Sequence, residues 1–176
     1  MVMNLLSSPQ SVAASSTPFG GYVVYVKITE APVAAADLLP LVRTDADGAL
    51  VTFEGVVRDH NDGKGVAHLE YEAYAEMAER EMARIGAETL TRFGLHQIAI
   101  VHRVGRLAIG EVAVAIAVAS PHRREAFAAC AHAIDAVKER VPIWKKEQYA
   151  DGAEWLGVQA DHRGQPASDL FNTEGL

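Results

Sequence analysis

Between residues 22 and 158 the hydrophobic positions recur with a period of two in some stretches and about 3.6 in others, which predicts mixed α and β structure. Tyr22 to Thr29 (YVVYVKIT) is β-branched and aromatic and predicts a strand. Val33 to Arg43 predicts a short helix bent at Pro40, followed by a turn at Asp47-Gly48. Leu50 to Val57 (LVTFEGVV) predicts a second strand. Arg58 to Gly65 predicts a polar, glycine-punctuated loop of the kind that often carries function. Ala67 to Tyr74 (AHLEYEAY) alternates, with His68, Glu70 and Glu72 on a solvated face and Leu69, Tyr71 and Ala73 on the other.

From Ala75 to Phe93 the spacing of Ala78, Met82, Ile85, Thr89 and Phe93 predicts an amphipathic helix. Glu76/Arg80 and Glu88/Arg92 are its expected i,i+4 pairs, and Gly94 its left-handed stop. Gln97 to Val101 predicts a strand. Glu111 to Ala119 (EVAVAIAVA) puts Val112, Val114, Ile116 and Val118 on one face and alanines on the other, so it predicts a strand buried on both sides with something close against the alanines. The next helix has Ser120 as N-cap, Pro121 at N1 and an apolar face of Phe127, Cys130, Ala131, Ile134 and Val141, and ends at Pro142. Ile143 to Tyr149 and Trp155 to Val158 predict a hairpin across Asp151-Gly152. The sum is about seven strands and three helices, an α+β domain spanning residues 22–158. Residues 1–21 are expected to be a flexible tail and residues 159–176 a polar extension.

Composition narrows the function. A chain of 176 residues fits one domain and needs no disulfide or metal staple. The net charge of -7 argues against nucleic acid and anionic membranes as partners, since both bind through phosphate neutralisation. The longest clean apolar run, Val112 to Ala119, is far short of the ~20 residues of a membrane-spanning helix. The first residues lack a basic n-region, so no secretory signal is expected. The single cysteine, Cys130, cannot close an intrachain disulfide, which suits a reducing cytoplasm.

Against this acidic background two basic clusters stand out. His122, Arg123 and Arg124 follow the helix cap, where the dipole makes each cation cost up to ~1 kcal/mol. Backbone N–H groups, two guanidinium groups and an imidazole make a site for a phosphate or carboxylate there. The alternative is that the two arginines simply pair with carboxylates elsewhere. The second cluster is Lys138, Arg140, Lys145 and Lys146, around Pro142 and Trp144. Lys138 falls along the apolar face near the helix end, where desolvation lowers a lysine's pKa and suits it to general-base or nucleophilic work. The competing reading is a lysine whose stem merely covers the core. Lys145 and Lys146 fall on opposite faces of a strand, so only one points towards Lys138. Cys130 sits in an alanine-rich helix face and is expected to be a core residue. No metal-ligand spacing, P-loop, dinucleotide fingerprint or nucleophile elbow occurs, so neither a metal nor a cofactor is expected, and any reactive sulfur must come from outside.

Four segments in fixed order carry a family resemblance: Phe53 to Asn61 (FEGVVRDHN), His102 to Gly105 (HRVG), Ser120 to Arg123 (SPHR) and Lys138 to Glu147 (KERVPIWKKE). Over roughly Tyr22 to Val158 the chain resembles the large, catalytic subunits of molybdopterin synthase. The resemblance implies an α/β hammerhead-like fold with an antiparallel sheet and an additional small β subdomain. It also implies a homodimer that binds a small ubiquitin-like sulfur-carrier subunit at each end, a heterotetramer in all. The carrier's C-terminal Gly-Gly thiocarboxylate would enter a pocket, and two sulfurs would pass to cyclic pyranopterin monophosphate to form the dithiolene of molybdopterin. By position, Arg58, His122 and Arg123 would bind substrate phosphate or pterin, Lys138 and Lys145 would be catalytic, and Lys146 and Glu147 would line the site. The chain departs from many relatives in Val56, where a basic residue is common, and in Pro121, where a small one is. Two other readings remain at this level: a non-catalytic anion-binding or scaffold protein of the same fold, and an independent enzyme acting on a phosphorylated metabolite.

Overall fold

The computed structural model describes residues 17–19, 22–61, 63–149 and 152–156. Most of the expected tail and all of the C-terminal extension lie outside the described residues, as do residues 157 and 158 of the expected hairpin. Thr17–Phe19, inside the expected tail, form a strand, β1, paired antiparallel with β2 (Tyr22–Thr29).

The main sheet runs β1-β2-β6-β8-β3, with β3 at Ala49–Val56, β6 at Gln97–Arg103 and β8 at Val112–Ser120. Only β2 and β6 are parallel; the other pairs are antiparallel. Strand β8 is the core of the sheet because both its faces are apolar. Its Val114, Ile116 and Val118 pack with Ile98 and Ile100 against helices α2 (Ala75–Phe93) and α3 (Arg123–Arg140). Its Ala115, Ala117 and Ala119 meet Ala35, Leu38 and Val42 on the opposite face. Those three residues belong to a single 3-10 turn, Ala35–Leu38, that runs into one α turn, α1 (Leu39–Val42); this is the partner the small alanine face admits. The predicted helix over residues 33–43 is thus shorter than expected and begins as 3-10.

Helix α2 buries the expected stripe: Ala78, Met82, Ile85 and Thr89 are fully buried. It lies so close to β2 that a Cβ on Gly86 would sit 2.4 Å from Val24 Cγ1, which only glycine avoids. It stops at Gly94, whose φ of 66° and ψ of 35° are left-handed. The ion pairs differ from expectation. Glu88 does not pair with Arg92 but takes both terminal nitrogens of Arg140 at 2.6 and 3.2 Å, and Glu81 takes Arg140 at 2.7 Å, so these carboxylates tie α2 to the end of α3. Arg84 joins them within α2.

Helix α3 also starts later than its sequence suggests. Ser120 is still in the sheet, opposite Ala49, so the capping position falls to His122, and the Ser120 hydroxyl accepts the His122 backbone N–H at 3.2 Å instead. Phe127, expected on the apolar face, is 46% exposed; Ala126, Ala129, Ala133 and Val137 fill that face with Cys130 and Ile134.

A second sheet, β10-β9-β5-β4, supplies the small β subdomain. It is built from β4 (His60–Asn61), β5 (Lys64–Ala73), β9 (Ile143–Tyr149) and β10 (Gly152–Leu156), with β7 (Gly105–Ala108) also paired to β5. Its apolar residues Val66, Leu69, Leu107 and Tyr149 form a separate core cluster with Val57 and Ala113. The mixed α+β fold is as expected, but the strands among the described residues number ten rather than seven. β4 and β7 are too short to show a period, and their long-range pairing with β5 defines them. No helix among the described residues is long and apolar enough to cross a membrane.

Candidate active site

Strand β9 delivers the most unusual side chains of the protein. Its alternation turns Lys145, Glu147 and Tyr149 inward and Trp144, Lys146 and Gln148 outward. Lys145 is 7% exposed and Glu147 2%. The Lys145 ammonium donates to Glu147 Oε1 at 2.5 Å, and the Tyr149 hydroxyl donates to Oε2. Burial pushes the Glu147 carboxyl up, but the bonds from Lys145, Tyr149 and Asn61 outweigh it and hold the group below the usual carboxylate range. The Glu147 carboxylate is therefore held in its charged form inside the protein. Buried ion pairs rarely add net stability, because desolvating two charges costs several kcal/mol each. Such an arrangement makes these residues candidates for a functional site.

Asn61, 6% exposed, links this pair to the surface. Its amide bonds Glu147 while its Oδ1 accepts from Arg58 Nη2 at 3.2 Å, which fixes the exposed Arg58 guanidinium. These groups surround a cavity of about 300 Å³ at the meeting of the two sheets and the end of α3. Phe53 from β3, Val114 from β8 and Ile134 and Val137 from α3 supply apolar wall; Arg58, His60, Lys138, Lys145 and Glu147 supply charge or polarity. His60 itself is exposed and lies 2.5 Å from Asp59 through Nδ1, a bond that holds the Asp59 carboxyl below its usual range.

Two aromatic groups complete the wall. Tyr71 and His102 meet edge to face, with centroids 5.1 Å apart and an interplanar angle of 71°. Burial pushes the His102 pKa down to about 4, against the bond from Nδ1–H to the Arg103 carbonyl at 2.8 Å, which favours the charged form. Burial, aided by the charge of Glu147, pushes the Tyr71 phenol up to about 12. Both are neutral near pH 7.

Of the sequence-predicted site residues, Arg58, Lys138, Lys145 and Glu147 come together at this cavity. The desolvated lysine is Lys145, not Lys138; Lys138 is exposed where it meets the cavity, because the last turn of α3 reaches solvent. Lys146 does not line the cavity. It projects from the other face of β9, with Nζ 3.5 Å from Glu70 Oε2. His122 and Arg123 stand exposed at the start of α3, fifteen residues before Lys138, a separation of about 22 Å along the helix. Within one chain they do not share the cavity. Cys130 is buried, and burial pushes its thiol up to about 12, so it is an inert core group as expected. Among the described residues no group of three or more His, Cys, Asp or Glu side chains is placed to hold a metal ion. Sequence reasoning missed Asn61, Tyr71 and Tyr149, and gave His102 no role. The signal for Tyr149 was available in the strand alternation that pairs it with Lys145 and Glu147.

Known proteins resemble this chain in sequence and in fold. The model of the MoaE protein family matches residues 28–140. A molybdopterin synthase catalytic subunit from Bacillus subtilis is 44% identical over 149 residues, covering 85% of this chain and 95% of the relative. Among solved structures, molybdopterin synthase from Staphylococcus aureus superposes with a TM-score of 0.71 at 43% identity, covering 74% of this chain and 96% of that one. The fold also recurs, with a TM-score of 0.59 at 20% identity and coverage of 80% and 93%, in a complex of subunits 1 and 2 of molybdopterin-converting factor from Helicobacter pylori. The chain belongs to the MoaE protein family of molybdopterin synthase catalytic subunits, enzymes of molybdenum cofactor synthesis.

Proposed function

We propose that this cavity transfers sulfur from the C-terminal thiocarboxylate of a small ubiquitin-like carrier to cyclic pyranopterin monophosphate, twice, to make the dithiolene of molybdopterin. The observation that carries the reading is the buried Lys145–Glu147 pair facing a cavity that holds no sulfur of its own. Attack of the thiocarboxylate sulfur on an oxygen-bearing ring carbon forms a C–S bond as that carbon's C–O bond breaks, the oxygen leaving as water or phosphate once protonated. Water then cleaves the resulting thioester, releasing the carrier as a carboxylate and leaving sulfur on the ring. Both halves develop negative charge on oxygen. Lys145 spends one N–H on Glu147 and keeps two for such an oxyanion. Lys138, exposed at the edge of the cavity, serves as the proton carrier between the cavity and water. Arg58, oriented by Asn61, binds phosphate as a planar fork.

His122 and Arg123 enter through a second copy of the chain. β3 is an edge strand whose outward residues Leu50 and Val56 are 40% and 51% exposed. Its start is opposite Ser120, next to His122, while Gly55 and Val56 at its far end line the cavity. Antiparallel addition of a second β3 about a two-fold axis sets the start of one strand beside the end of the other. An eight-residue strand spans about 26 Å, enough to cover the gap along α3. A homodimer built this way has two complete sites, each open to its own carrier, which gives a heterotetramer. The Helicobacter pylori neighbour is itself a complex of two subunits. A reducing cytoplasm suits the lone thiol and a thiocarboxylate alike.

Reconstituting the purified chain with a thiocarboxylated carrier and the pterin precursor tests the reading. Dithiolene formation that requires the carrier supports it. Tight precursor binding without turnover identifies an anion-binding protein instead, and turnover without a carrier identifies an independent enzyme. Normal turnover by Lys138→Ala removes that lysine from the mechanism.

A further inference from the structure

His102 and Tyr71 lie in the cavity wall, yet neither has a part in the transfer described above. His102 is 7% exposed and donates through Nδ1 to the Arg103 carbonyl, an acceptor that fixes the proton on that nitrogen. Nε2 is therefore a lone-pair acceptor, and no group among the described residues bonds it. The Tyr71 hydroxyl is in the same position, a donor with no hydrogen-bond partner among the described residues. Neither atom is sealed in the protein interior; both belong to residues that line the cavity, where a bound ligand can satisfy them.

We propose that Tyr71 and His102 form a donor–acceptor pair that hydrogen-bonds the edge of a planar heterocycle in the cavity and thereby selects the ring the site accepts. This rests on the sulfur-transfer reading and names the part of the substrate that the charged residues leave unread. Neither group carries charge near pH 7, so the pair does not suit a phosphate; Arg58 and Lys138 supply that chemistry. A pterin edge alternates N–H donors with ring-nitrogen and carbonyl acceptors, which matches a phenol beside an imidazole lone pair. The volume of about 300 Å³ is at the small end for ligand cavities and suits a fused bicyclic ring, with Phe53, Val114, Ile134 and Val137 as apolar wall. Tyr71 also stands opposite Lys145 in the β5–β9 register, so a ring held by its hydroxyl lies next to the ammonium. A site that hydrogen-bonds its substrate rejects analogues lacking those groups far better than apolar contact does.

The test measures two affinities on the full chain, one for cyclic pyranopterin monophosphate and one for the thiocarboxylated carrier. Tyr71→Phe removes one oxygen and keeps the ring contact with His102, so it reports even where His102 variants fail to fold. The expected result is precursor binding weakened about tenfold with carrier affinity changed by less than about twofold. His102→Asn, which keeps an acceptor, should bind the precursor more tightly than His102→Leu. Unchanged precursor affinity in Tyr71→Phe overturns the proposal. So does a loss confined to carrier affinity, which assigns the pair to the carrier's tail. A wild-type chain that binds no precursor overturns the sulfur-transfer reading along with it, whereas normal wild-type turnover with indifferent variants overturns this proposal alone.

Discussion

At its start α3 sets His122, Arg123 and Arg124 in solvent against the positive end of the helix dipole; at its end it sets Lys138 and Arg140 where the dipole favours cations. The end is integrated into the fold. Arg140 is held by Glu81 and Glu88 of α2, and Lys138 borders the cavity. The start is not, since no side chain caps it. Among the described residues no side chain bonds these cations, and the proposed function turns His122 and Arg123 towards a substrate. The two basic clusters of the sequence thus stand at opposite ends of one helix, and the proposed function needs a second copy of the chain to join them.

The two halves should respond differently to substitution. The largest effect belongs to the cavity. Lys145→Ala should slow sulfur transfer about 10²–10³-fold, as loss of an oxyanion donor does. It should also lower the unfolding free energy by about 3 kcal/mol, because Glu147 is left buried without its ammonium. Single-turnover rates and urea denaturation measure both. At the start of α3, Arg123→Ala should raise KM for the precursor about tenfold through the lost charge-assisted bond to phosphate. Its melting temperature should equal or exceed that of the wild type, since a cation opposing the dipole is removed. A lower melting temperature would reveal a structural arginine and break the contrast.

Acid sensitivity sharpens the same contrast. His102 has a folded pKa of about 4 against 6.5 in the free residue, so the unfolded chain takes up the proton first as pH falls. Its contribution is complete above pH 6.5 and is lost on the way down to about pH 4, roughly 3 kcal/mol in all. Denaturant unfolding at several pH values should show that slope in the wild type and a flatter one in His102→Asn. The smallest effect is expected from Lys146→Ala, one residue from Lys145 on the opposite face. Transfer should stay within about twofold and stability within ~0.5 kcal/mol, as for other half-exposed ion pairs.

Much of the fold was legible because local pattern and tertiary burial agree. The valine and alanine faces of β8 state directly that one side meets large partners and the other close ones, and the stripe and glycine stop of α2 fix both its orientation and its end. Ser120 misled because two structures compete for it, and pairing with Ala49 in the sheet wins over capping the helix. The site was legible in its residue types but not in its grouping. Lys138 looked desolvated from its helical phase, yet the helix ends at solvent there, while strand alternation takes Lys145 inside. Asn61 reads as a turn former in a glycine-punctuated loop; only the two-residue strand β4 makes it a buried bridge between Arg58 and Glu147. The distance from Arg123 to Lys138 could have been read from helix length alone.

Complementation between chains tests the divided site most directly. An equimolar mixture of Arg123→Ala and Lys145→Ala chains, after subunit exchange, forms mixed dimers in about half of its population. In each mixed dimer one site draws both defects and the other draws neither. Dithiolene formation with carrier, and with precursor well below the wild-type KM, should therefore recover to about one quarter of the wild-type rate, against about one tenth or less for either variant alone. A mixture no more active than the two variants assayed separately would contradict the account.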